Sequence, residues 1–181
     1  MVENFQYIDS LLYSILPFSL GAAFIGLILS LVTRVLKNDT VRIIGIALFI
    51  QCFAFVIILI VLQSFIIKEI RSNIKGILAD HETKLFINSD DFGSIPPKKL
   101  KKELLKLTDI STNHSHPENI KTIQVTATSG DFNLFIGKDS NDPKEFWIFT
   151  DKYGLDMETE IGKIKTSRIK LENPMKSMKK R

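Results

Sequence analysis

The chain has 181 residues, 45% of them hydrophobic and 24% charged, with a formal net charge of +4. Its single cysteine, Cys52, excludes an intramolecular disulfide, so any folded part must be held by its own core. The average composition hides a segregation: 24 consecutive residues between Asp9 and Arg34 carry no charge, and 25 between Arg42 and Lys68 carry none.

Residues 1–9 contain no Lys or Arg, so this N-terminal tail lacks the positive region of a secretory signal. Val2 stands where N-myristoylation requires glycine. Crossing about 30 Å of hydrocarbon takes about 20 residues of helix, and the runs at 10–33 and 43–67 are both long enough. Residues 10–67 are therefore read as a two-helix transmembrane hairpin. The connection around Arg34, Lys37, Asn38, Asp39 and Arg42 is short and polar, which makes the helices antiparallel neighbours with both ends on one side. Ala22, Gly26 and Ser30 share one face of the first helix, and Ala47, Gln51 and Ala54 share one face of the second. Small residues let helix backbones approach where lipid provides no hydrophobic drive. An amide at mid-membrane depth must face protein or water, so Gln51 either bonds to the first helix in a simple hairpin or joins copies of the chain in an oligomer. Lys68, Arg71, Lys75 and Lys84 on the termini side stand against Arg34, Lys37 and Arg42 in the loop. The positive-inside rule leaves these nearly balanced, and the basic end Lys176, Lys179, Lys180 and Arg181 favours a cytoplasmic soluble domain beside the anionic inner leaflet.

After Ile67 the pattern becomes amphipathic. Ile70, Ile74, Ile77 and Leu78 recur with helical spacing, predicting that the second helix runs on as a stalk over 68–79, its apolar stripe covered by the soluble domain or by another copy. A soluble α+β domain follows over 80–172, a small antiparallel sheet with one or two helices. Its first strand is expected at 84–88, followed by a turn at 89–93. A helix then starts with Ser94 or Ile95 at the cap and Pro96 and Pro97 in the first turn. On that helix Leu100, Leu104 and Leu107 share a face, while Lys98, Lys99, Lys101, Lys102 and Lys106 form a basic surface. This surface is either a solvated exterior or a site for anionic lipid or a nucleotide. Lysine without arginine or interleaved aromatics argues against a nucleic-acid groove.

Ile123, Val125 and Ala127 alternate with polar residues as in a half-buried strand, Ser129-Gly130 marks a turn, and strands follow at 132–136 and 145–150. The link 137–143 joins those two in an antiparallel meander, and a further strand is expected at 161–166 after the Gly154 turn. Alternation sends Trp147 and Phe149 to one face and Phe146 and Ile148 to the other, without saying which is buried. A flexible basic tail is expected over 173–181.

Little in the soluble part carries chemistry. His114 and His116 could ligate a metal from an extended strand, with His81, Asp90 or Asp91 joining, but zinc sites take three or four close-set ligands. Adjacent Asp90 and Asp91 point apart on an extended chain and make a poor acid–base pair. Gly130, Gly137 and Gly154 are isolated at turns and do not form a phosphate-cradling loop. No cofactor, metal site or catalytic set is expected, and the chain does not read as an enzyme.

In layout, the hairpin at 10–67, the stalk at 68–79 and the β-rich domain at 83–170 resemble small two-transmembrane bacterial antiphage effectors of cyclic-oligonucleotide and retron defence systems. The resemblance implies a soluble domain that senses a small-molecule signal or a protein partner, homo-oligomers, and hairpins that then perturb the bilayer of the inner membrane. The competing expectation is a non-toxic anchor or regulatory subunit whose soluble domain docks one protein.

Overall fold

The computed structural model describes residues 2–88, 92, 95–109, 114–155 and 159–171. It divides into two compact units, 1–67 and 68–181. The first unit is built from helix α1 (Val2–Leu36) and the beginning of α2 (Asp39–Ala79). Both helices are long and apolar enough to cross a membrane. The connection is tighter than the charge pattern suggests, since only Lys37 and Asn38 lie outside helix. Lys37 takes a positive φ of 49°, and the Asn38 side chain caps α2 by accepting from the Val41 N–H at 3.3 Å.

In the hairpin, Ser19, Ala23, Gly26 and Thr33 are buried on α1, and Gly45, Cys52, Leu59 and Ile66 on α2. Their spacings of three, four and seven make a seam of the kind seen in antiparallel helix pairs. Large apolar side chains cover the outside: Phe18, Phe24, Ile43 and Phe53 are all more than half exposed.

The second unit is α+β. From Lys68 the remainder of α2 turns Ile70, Ile74 and Leu78 into a core where none is more than 1% exposed. Strand β1 (Lys84–Ile87), helix α3 (Pro97–Leu104) and strands β2 (Pro117–Thr126), β3 (Phe132–Asp139), β4 (Glu145–Thr150) and β5 (Glu160–Lys165) follow. The five strands lie in chain order, and every neighbouring pair is antiparallel. Alternation and register place Leu85, Ile123, Val125, Leu134, Ile136, Phe146, Ile148 and Ile164 on one face, all buried. Leu100, Leu104 and Leu107 are buried with them. The α2 stripe is therefore covered within its own chain, the first of the two expected ways. Arg71 donates to the Ile161 carbonyl at 2.7 Å and Lys75 to the Leu107 carbonyl at 3.1 Å, fastening α2 to β5 and to the segment after α3.

Several boundaries differ from expectation for local reasons. The cap of α3 is Pro96, whose extended backbone (φ −71°, ψ 145°) accepts from Lys99 and Leu100, while Ser94 lies outside the described residues. Strand β2 starts at Pro117, because residues 117 and 118 pair with Asp139 and Lys138 before a bulge. Gly137 was expected in a link but stands inside β3, and Pro117 sits where a side chain at Gly137 would be. The turn expected at 89–93 lies largely outside the described residues, as does the tail over 173–181.

Candidate functional site

The small faces of the two apolar helices have different fates. Gly26 and Gly45 meet: a Cβ on Gly26 would stand 2.5 Å from the Gly45 carbonyl oxygen, and one on Gly45 would stand 2.7 Å from that of Gly26. Ala22 and Ser30 are half-buried on either side of this contact, so the α1 face is directed inward. Ala47, Gln51 and Ala54 are exposed on the outside of the hairpin. Gln51 makes no hydrogen bond to α1, contrary to the simple-hairpin expectation, because α1 meets the Gly45–Leu48–Cys52 side of α2 instead. The other glutamine in this apolar run, Gln63, is also exposed but donates to the Tyr13 hydroxyl across the two helices.

In the second unit the expected lysine surface is divided. Lys101 reaches the turn that follows α2, donating to the Asp80 carbonyl and to the Thr83 carbonyl at 3.0 Å. Lys106 pairs at 2.6 Å with Glu103, which is buried and also holds Arg168 at 3.1 Å. Lys98, Lys99 and Lys102 remain exposed. Lys98 and Lys102 flank a cleft of about 720 Å³ between the end of α2, β1 and α3, with Lys84 on β1 opposite.

The second face of the sheet carries an ionic cluster. Lys163, with 3% of its side chain exposed, lies 3.5 Å from Asp139, 3.4 Å from Glu145 and 3.8 Å from the centre of the Trp147 ring. Asp139 also accepts from the Ser115 hydroxyl at 2.6 Å, the Trp147 indole at 2.8 Å, and the Asn141 and Asp142 N–H groups. Burial raises the Asp139 carboxyl, but the bonds from Ser115, Asp142, Asn141 and Trp147 together outweigh it and hold the group well below the usual carboxylate range. At the start of β5, burial pushes Glu160 up to about 7 against the pull of the Lys163 cation, with Glu145 adding to the rise. One Glu160 carboxylate oxygen is buried and accepts no hydrogen bond. Trp147 stacks on Phe149 at 6.5 Å on this face; Phe146 and Ile148 are buried on the other, and Phe149 is buried as well, leaving Trp147 half-buried.

His116 lies 3.6 Å from Glu118, and His114 is exposed beside it. Among the described residues no group of three His, Cys, Asp or Glu side chains could hold a metal; Asp90 and Asp91 lie outside them. Compared with protein-family models, curated proteins and solved structures, the chain matches none of them. The site must therefore be read from its own residues. Sequence reasoning missed the Asp139–Lys163–Glu145 cluster and the Gly45 half of the glycine contact. The one available signal for the cluster was a lysine inside the apolar strand run Ile161-Gly162-Lys163-Ile164.

Proposed function

We propose that this chain is a membrane-anchored effector, with its hairpin spanning a bacterial inner membrane and its soluble α+β domain cytoplasmic. The soluble domain senses a signal or partner, and the hairpins of several copies assemble and perturb the bilayer. Support for membrane insertion comes from the apolar outside of the hairpin, since a soluble protein rarely exposes a continuous apolar surface of this extent.

The observation that carries assembly is the outward Gln51. An unpaired amide facing hydrocarbon is costly, and Gln63 illustrates how this hairpin satisfies such a group when it can. A second copy presents the same amide, which is both donor and acceptor and therefore self-complementary. The flanking Ala47 and Ala54 permit close approach.

The test is expression of the full chain in a bacterial host with Ala54→Cys in a Cys52→Ser background. Disulfide cross-linking in membranes is followed together with growth and membrane potential. Cross-linked oligomers and depolarisation are expected, and Gln51→Leu should weaken association about 3- to 30-fold, matching about 0.6–2 kcal/mol per interhelical hydrogen bond. A chain that inserts, never cross-links and stays harmless would hand the role to the anchor reading.

A further inference from the structure

We infer that the cleft between the end of α2, β1 and α3 is a binding site for a single-chain anionic amphiphile, an acyl chain carrying a carboxylate or phosphate head. Its volume of about 720 Å³ is that of a small-molecule site. The apolar lining is Leu78, Leu85 and Leu105, with the exposed ring of Phe86 at the edge of β1. The rim is cationic. Lys98 and Lys102 stand one turn apart on α3, Lys84 lines the cleft from β1, and among the described residues no Asp or Glu lines it.

The acids nearest in sequence are engaged elsewhere. Glu82 accepts from the Thr128 hydroxyl at 3.2 Å, and Asp80 accepts from the Glu82 N–H at 3.1 Å. A ring of cations above an apolar floor fits an anionic head joined to a hydrocarbon body.

The lining also argues against a nucleotide. A base needs neutral donors and acceptors to read its edge, yet Thr83 already donates to the Ile77 carbonyl at 2.7 Å and Lys101 is bound to two carbonyls. Among the described residues the lining contains no Asn, Gln or Ser, and its one further polar side chain is His81. The chain's own basic C-terminal sequence has the same sign as the rim and does not suit it. This inference gives the proposed sensing role a ligand class, and it rests on the membrane reading only for a ready supply of lipid.

The experiment uses the full chain in phosphatidylcholine nanodiscs with three diazirine probes: palmitate, the neutral hexadecanol, and lysophosphatidic acid. After photolysis the labelled peptides are mapped. Palmitate should label peptides containing residues 78–86 and 97–105 about tenfold more than hexadecanol does, as expected for a few weak charge contacts acting together. That excess should vanish in the variant Lys84→Gln/Lys98→Gln/Lys102→Gln, whose changes are all on exposed side chains. Leu105→Trp, which fills the cleft, should remove labelling by both probes.

Labelling by palmitate alone would identify a free fatty acid, by lysophosphatidic acid alone a phosphate-headed single-chain lipid, and by both the shared anionic head. Label confined to 10–33 and 43–67 would overturn this inference while leaving membrane insertion intact. Equal labelling by acid and alcohol, or labelling untouched by the lysine changes, would overturn it as well. Absence of label from both apolar runs would instead sink the membrane reading.

Discussion

Lys163→Met tests whether the ionic cluster is a buried structural device. Methionine keeps most of the length of lysine and removes the charge. It leaves Asp139, with 1% of its side chain exposed, and Glu145, with 12%, facing each other without their cation. Breaking a buried ion pair from one side costs about 3–5 kcal/mol, because the remaining charge is left uncompensated. For a domain of this size each kcal/mol moves the melting point by about 4 °C, so the midpoint should fall by about 15 °C. The protein supplies its own probe. Trp147 is the chain's only tryptophan, and it donates to Asp139 while lying under Lys163. Thermal unfolding of the full chain in detergent can therefore be followed by its emission, reading the midpoint only, since the substitution changes the folded baseline. Adding Glu145→Leu removes one stranded carboxylate and should recover about half of the loss. A single variant melting within about 2 °C of the parent would refute the reasoning, as would a double variant no better than the single.

Two further outcomes use the same melting assay. Burial raises Glu160 to about 7, so the folded state holds this proton where the unfolded chain, with an ordinary carboxyl near 4.5, has released it. Its contribution is therefore fully present below about 4.5 and is lost as pH rises through about 7. Discounted for partial exposure it amounts to about 1–2 kcal/mol, and Glu160→Gln should flatten the melting profile between pH 5 and 8. Gly162 combines a φ of 153° with the Thr108 carbonyl lying where a side chain would start. Gly162→Ala should cost about 2–3 kcal/mol by straining the backbone and prising apart the Thr108–Lys163 bridge, whereas Gly76→Ala, with open space on the helix, should gain about 0.5–1 kcal/mol.

The parts of this fold that were legible in the sequence are those governed by periodicity. Ile70, Ile74 and Leu78 repeat at helical spacing, and Ile123 and Val125 alternate; each pattern records which side of an element meets the core. The strand pairings were legible where a turn residue is unavoidable, as at Gly130 with its φ of 102°. The ends of elements were less so. Pro117 and Gly137 both read as loop residues, yet they lie against each other inside paired strands, the missing Cβ of one making room for the ring of the other. Such a complementarity joins residues 20 positions apart and leaves no trace in either neighbourhood.

The candidate sites divide along the same line. A run of lysines on and just after α3 announces a positive surface, but only the fold distinguishes Lys101 and Lys106, which hold backbone carbonyls and Glu103, from Lys98 and Lys102, which line a cleft. The cleft needs β1 opposite α3, and nothing in a linear pattern fixes that pairing. Gln51 is the converse case. Its residue type and depth in an apolar run mark it at once, and the sequence even groups it correctly with Ala47 and Ala54. The direction of that face depends on which stripe of α2 meets α1, and Gly45 decides it: because Gly26 and Gly45 approach through their backbones, the seam passes along Leu48 and Cys52, and Gln51 is turned outward. A side chain larger than glycine at position 45 would push the helices apart and weaken the choice of seam. The same glycine contact that closes the hairpin thus selects the face that is turned outward.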